Sequence, residues 1–172
     1  FSTRLGWGID KDTWLGMIKN VNRLEIVSQE RISDEISKIL LCSKPSVGIR
    51  KMYYCGVLNK VMPDIYDTNF AYESKNPMVT TFDHTMNVLD ETQPYLESRL
   101  AALFHDVGKV ITDKDRTVNP DNFSGEIAAT DLKLMKFPNH IIKSVQTAIE
   151  YHRIFKIYAD GVVPPDKKIR KF

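Results

Sequence analysis

The chain has 172 residues, 42% hydrophobic and 27% charged, with 8 Gly, 8 Pro and a formal net charge of +2 at pH 7. That length buries a substantial core in one or two compact units, and the composition excludes a disordered or fibrous polymer. Its 2 cysteines, Cys42 and Cys55, have no CxxC spacing, which excludes a disulfide scaffold and a cysteine zinc cluster and points to a reducing, cytoplasmic setting.

Helical periodicity dominates, and alternating strand patterns are scarce, so the expected fold class is all-α. Asp10 or Asp12 caps a short helix carrying Trp14, Leu15, Met17 and Ile18. Ser28 caps a second, with Ile32, Ile36, Ile39 and Leu40 on one face, which Pro45 stops. Ser46 opens a third, bearing Ile49, Met52, Tyr53 and Gly56 and ending before Pro63. From Asp64 to Pro77 the periodicity vanishes in a polar stretch dotted with Tyr66, Phe70 and Tyr72, which is expected to be a linker and domain boundary.

Beyond it, Phe82, Met86 and Leu89 mark a helix, and Leu96, Leu100, Leu103 and Val107 mark another ending at Gly108. Thr112 to Asn122 is expected to be a polar loop. Ser124 caps a helix with Ala128, Leu132 and Met135 up to Pro138, and Asn139 starts a last one with Ile142, Val145, Ile149 and His152. A basic tail, 161–172, is expected to be poorly ordered. The units are therefore 1–64, 78–160 and the tail.

Charge follows this division. Residues 1–64 carry 10 Lys/Arg against 7 Asp/Glu, 65–160 carry 10 against 14, and 161–172 carry 4 against 1. None of these is a dense enough basic patch to assign nucleic acid unaided. No run approaches the roughly 18 apolar residues of a membrane span, nothing at the N-terminus reads as a signal peptide, and the abrupt start at Phe1 reads as a piece of a longer protein.

Of the histidines at 84, 105, 140 and 152, His105 stands in the dipeptide His105-Asp106 at the end of an apolar helix. An imidazole and a carboxylate together at a buried position need a partner for their charge, and a divalent cation suits both donor types. Two antiparallel helices joined by a short loop bring His84 to the same end. His152, i+3 from Ile149, points inward too, whereas His140 is expected to be exposed beside Asn139. Hydrogen bonding of each histidine to backbone is the competing structural reading.

The run from Thr81 to Asp90, followed by Arg99-Leu-Ala-Ala-Leu-Phe-His-Asp-Val-Gly-Lys109, resembles the HD domain of bacterial tRNA nucleotidyltransferases of the CCA-adding and poly(A) polymerase family. The first unit resembles the same family. Phe1-Ser-Thr-Arg-Leu-Gly-Trp-Gly-Ile-Asp10 is similar to the end of its RFaaRLGF-ID motif, and Val27-Ser-Gln-Glu-Arg-Ile32 to its VS-ERI neck element. Gly56-Val57-Leu58 and Met62-Pro63 match its GLL…P stretch in kind. The resemblance covers roughly residues 1 to 155.

It implies a helical neck and body followed by an HD-type bundle, acting on RNA in tRNA 3′-end processing, with no DNA partner and no membrane. Metal ligands would be His84, His105, Asp106 and His152, holding a divalent ion of the Mg, Mn, Ni or Zn class. Asp106 and Lys109 would carry catalysis, Lys109 as a point charge on a phosphate. Arg4 and Arg31 would face RNA or nucleotide, with ordinary helix charges as the other reading.

Two departures matter. The chain has no Gly-Ser dipeptide and no Gly-rich phosphate loop, so the nucleotidyltransferase head is missing from it. The family's F-GHE segment reads Phe123-Ser124-Gly125-Glu126 here and lacks its histidine, with Glu126 or Asp131 as substitute ligands. Three readings stay open: a head-less or partial nucleotidyltransferase, a free-standing HD phosphohydrolase of phosphomonoesters or cyclic phosphodiesters, and a non-catalytic RNA-binding helical module.

Overall fold

Acceptor groups at helix starts set many of the element boundaries. The computed structural model describes residues 1–73, 76–112 and 120–159, with side chains for all of these except 112, 120–122 and 153–159. The central part of the expected polar loop and the basic tail lie outside the described residues.

A single-turn α1 (Ser2–Leu5) precedes α2 (Lys11–Asn20), where the Asp10 carboxylate accepts from the backbone N–H of Asp12 and Thr13 at 3.0 and 3.4 Å. A 3-10 segment, Val21–Ile26, leads to α3 (Gln29–Leu40). Ser28 holds the N-cap position of α3 through its backbone carbonyl rather than its side chain. Ile32, Ile36 and Leu40 enter the core, as their spacing predicts.

The single helix expected between Ser46 and Pro63 is instead two, α4 (Pro45–Tyr54) and α5 (Val57–Val61), and α6 (Pro63–Asp67) begins at Pro63 itself. Gly56 at φ +80 turns the chain out of the right-handed helix. Met62, extended ahead of Pro63, turns it out again. Pro45 is not the stop of α3 but lies in the first turn of α4, where its missing N–H costs nothing. Ser46 is not a cap either: its N–H and hydroxyl donate to Asp90 Oδ1 and Oδ2 at 3.1 and 2.8 Å, so a carboxylate from elsewhere caps this helix.

Of the expected linker, 64–77, the described residues 64–73 and 76–77 are structured. After α6 come a 3-10 turn, Thr68–Phe70, and an antiparallel pair, β1 (Tyr72–Glu73) with β2 (Asn76–Thr80), of irregular register. Tyr66 stacks on Tyr53 at 4.9 Å between ring centroids, Tyr53 contacts Phe82 at 5.1 Å, and Ile65 and Thr68 are buried. Tyr66 is thus a packing group, with Phe70 edge-on to it at 5.8 Å, whereas Phe70 and Tyr72 themselves stay largely exposed.

α7 (Thr81–Glu91) opens on a box in which Thr80 Oγ1 accepts from the Asp83 N–H and donates to its Oδ2, both at 3.0 Å. α8 (Leu96–Phe104) stops before His105, not at Val107, and Gly108 is not a left-handed C′ residue. Residues 105–108 form a turn into α9 (Lys109–Thr112). α10 (Pro120–Leu134) begins inside the expected loop and α11 (Asn139–Ala159) closes the described chain. Ser124, expected as a cap, sits within α10, fully buried, and its hydroxyl accepts from the Gly108 N–H at 2.9 Å.

The helical fold class holds, with the small sheet as its unexpected addition. A single apolar cluster runs from Ile32 of α3 to Ile149 of α11. Arg99 of α8, 3% exposed, crosses from the second half to the first, donating to the carbonyls of Leu40 and Cys42 and, at 3.1 Å, to that of Thr92.

Candidate metal centre

The apolar face of α8 (Leu100, Leu103, Phe104) is locked in the core, which fixes the turn that follows it. That turn presents His105 and Asp106 side by side, with side chains 12% and 8% exposed. α7, packed alongside α8, delivers His84, still 39% exposed. The turn itself is pinned from behind by Ser124 through Gly108.

Three acceptor atoms converge there. His105 Nε2 lies 3.0 Å from Asp106 Oδ2 and 3.4 Å from His84 Nε2, and His84 Nε2 lies 3.5 Å from the same carboxylate oxygen. His105 Nδ1 is 2.8 Å from the Ala102 carbonyl, which only accepts, so Nδ1 carries a proton and Nε2 is the nitrogen that would ligate an ion. Donors about 2.1 Å from a central ion stand about 3.0–3.4 Å apart in octahedral or tetrahedral geometry, and the observed separations match. Two imidazoles with one carboxylate suit zinc or the manganese-to-nickel range better than magnesium. By donor type, spacing and tautomer the three residues fit a divalent cation.

Burial is the largest influence on both ionisable partners. It pushes His84 below its ordinary value, toward the neutral, ligating form, with His105 and Lys109 adding to the effect against Glu73 and Asp106. Burial also works against the charge on Asp106, but hydrogen bonding and attraction from His105 and Lys109 outweigh it and hold the carboxyl well below the usual carboxylate range.

Lys109 Nζ donates to Asp106 Oδ2 at 2.7 Å and to both oxygens of Glu73 at 2.9 Å. Burial opposes the Lys109 charge, yet these two carboxylates raise its pKa. Glu73 is the site residue that sequence reasoning missed. It lies on β1, in a stretch without strand periodicity and 36 residues from its partner, and no local signal marks it.

His152 is nearby, its ring edge-on to His105 at 5.6 Å between centroids, with Nδ1 donating to the Ile149 carbonyl at 2.7 Å, but it stands outside the close three-residue group. Neither Glu126 nor Asp131 enters that group. Asp131 instead faces Asp64 of α6. Burial first, then the Asp64 carboxyl, raises Asp131 to about 6. Arg4 lies over the Phe1 ring at 5.3 Å, and Arg31 is exposed on α3.

Comparison with known proteins gives two family matches. The model described as "Probable RNA and SrmB- binding site of polymerase A" matches residues 6–68, and the HD domain model matches 81–170. A CC-adding tRNA nucleotidyltransferase of Thermus thermophilus is 26% identical over 185 residues, covering 98% of this chain and 41% of the relative. Multifunctional CCA proteins of Pseudomonas fluorescens and Paraburkholderia phymatum are each 32% identical, covering 81% and 95% of this chain but 35% and 43% of their own lengths. The chain thus spans about two fifths of the curated relatives it matches.

Proposed function

Because this chain belongs to the tRNA nucleotidyltransferase/poly(A) polymerase-like family, we propose that it is the RNA-side and HD portion of a cytoplasmic protein of tRNA 3′-end processing, and that its own chemistry is phosphate-ester hydrolysis. The convergence of His84 Nε2, His105 Nε2 and Asp106 Oδ2 on one point carries this reading. His84, His105 and Asp106 would hold a divalent ion, with His152 as the nearest further imidazole. Such an ion supplies Lewis acidity toward a phosphoryl oxygen and lowers the pKa of water.

The chain's own groups have separate tasks. His105 is oriented by Ala102, so its Nε2 stays available for ligation. Lys109 offers an ammonium beside the carboxylate, where it neutralises a non-bridging phosphate oxygen. Glu73 keeps Lys109 from collapsing wholly onto Asp106 by sharing its protons. In hydrolysis, water oxygen bonds to phosphorus as the ester P–O bond breaks, and the leaving oxygen takes up a proton. Nucleotide addition belongs to a head with Gly-Ser and Asp-x-Asp motifs, which the coding sequence upstream of Phe1 is expected to encode.

The first test measures bound manganese, nickel and zinc and hydrolysis of p-nitrophenyl phosphate in wild type and in the double variant His105→Ala, Asp106→Ala. One equivalent of metal in wild type and none in the variant is expected, with activity lost in parallel. Equal metal content in the two proteins removes the site. One observation favours a second reading, a metal-free RNA-binding module: Lys109 already supplies a cation to Asp106. In that case wild type binds no metal and hydrolyses nothing.

A further inference from the structure

A groove of about 790 Å³ opens between α8 and α11, and His152 forms one part of its wall. Along α11 it is lined by His140, Lys143, Ser144 and Thr147, at the i, i+3, i+4, i+7 spacing of one helix face, and across from them by Ser98 of α8. Ala101 and Ala148 add small apolar side chains to its lining. Among the described residues no carboxylate and no Phe, Tyr or Trp lines it. His140 and Lys143 are exposed, and neither has a hydrogen-bond or ion-pair partner among the described residues.

We propose that this groove is a subsite for the backbone of single-stranded RNA, seating the nucleotides that precede the phosphate held at His84, His105 and Asp106. It rests on the phosphohydrolase reading for the scissile phosphate and goes beyond it in naming the substrate as a strand rather than a mononucleotide.

The length of the groove supports a strand. Nine residues separate Lys143 from His152, about 13.5 Å of helix at 1.5 Å per residue. A stacked strand advances about 3.4 Å per nucleotide, so roughly four steps fit between the lysine and the centre. A single nucleotide at the centre leaves Lys143 out of reach. The chemistry agrees: two side chains able to carry positive charge and three hydroxyls are donors for phosphate oxygens. The positive end of the α11 dipole lies at the His140 end. With no Phe, Tyr or Trp among the described lining residues and little in the groove to read base edges, binding should follow the backbone and show little sequence preference.

The experiment uses the full chain and a 5′-fluorescein RNA hexamer with a 3′-phosphate, followed by fluorescence polarisation, alongside hydrolysis of p-nitrophenyl phosphate. Lys143→Glu is expected to weaken hexamer binding by about five-fold or more and to lower the slope of log affinity against log salt by about 0.7, one phosphate contact. Lys143→Arg keeps binding within about two-fold, as a charge contact should. Both variants leave kcat and KM for p-nitrophenyl phosphate unchanged. Unaltered hexamer binding in Lys143→Glu overturns the groove, as does an equal loss toward p-nitrophenyl phosphate. If wild type hydrolyses nothing while Lys143-dependent hexamer binding persists, the hydrolytic reading fails and the groove stands as an RNA subsite.

Discussion

Replacing Arg99 with methionine should destabilise the protein by about 3 kcal/mol. Its guanidinium is 3% exposed and has no carboxylate partner among the described residues; instead it donates to Leu40 at the end of α3, to Cys42 just beyond, and to Thr92. The negative end of the α3 dipole and three carbonyls thus take the place of an anion. Three hydrogen bonds from a charged donor, at about 1.5 kcal/mol each, sum to about 4.5 kcal/mol. Methionine has no charge to desolvate and fills most of the volume, which returns about 1.5 kcal/mol. At roughly 3 °C per kcal/mol for a chain of this size, Tm should fall by about 9 °C. Arg99→Lys keeps the charge but reaches fewer carbonyls and should fall by about half as much. Urea and thermal unfolding followed by circular dichroism measure both. A methionine variant within about 0.5 kcal/mol of wild type refutes the reasoning.

Two further substitutions probe other joints. A Cβ on Gly48 would stand 2.5 Å from Ile39 Cγ2 and 2.7 Å from Thr3 Oγ1, so Gly48→Ala should cost about 1–3 kcal/mol, and Ile39→Ala in the same chain should restore part of it. Calorimetric Tm values for the single and double variants decide this, and additive losses count against it. Asp131, raised to about 6 by burial and Asp64, keeps its proton in the folded chain after the unfolded chain has released it. Its effect on stability is absent below about pH 4 and grows unfavourable as pH rises to about 6, levelling off above. Asp131→Asn should therefore stabilise by about 1.5 kcal/mol at pH 7, after discounting for solvent screening, and by about half as much at pH 5. A gain of the same size at both pH values would contradict the linkage.

Helices with repeated apolar residues could be read directly, because Ile32, Ile36 and Leu40, or Phe82, Met86 and Leu89, must share a buried face whatever surrounds them. The meeting of His84 with His105 and Asp106 was also legible, since two adjacent helices and a short connection leave few other arrangements. What escaped were features that depend on distant partners. Asp90 caps α4 from 44 residues away, so Ser46 looked like its own cap. Ser124 has a cap residue's chemistry, but its hydroxyl serves the Gly108 N–H across the bundle. The β1–β2 pair lacks alternation because it is short and irregular, and the aromatics before and after it, Tyr66 and Phe82, both pack on Tyr53.

The hairpin also changes what counts as the smallest transplantable piece of this molecule. The HD match begins at residue 81, and the preceding match ends at 68. Glu73, held by neither, supplies two of the three bonds on the Lys109 ammonium, and the Ala71 carbonyl accepts the Thr81 N–H at 2.8 Å. An excision or domain graft cut at residue 81 would carry the histidines and leave their electrostatic counterweight behind. Recombination that preserves the centre has to cross the chain upstream of Ala71, well outside the HD match.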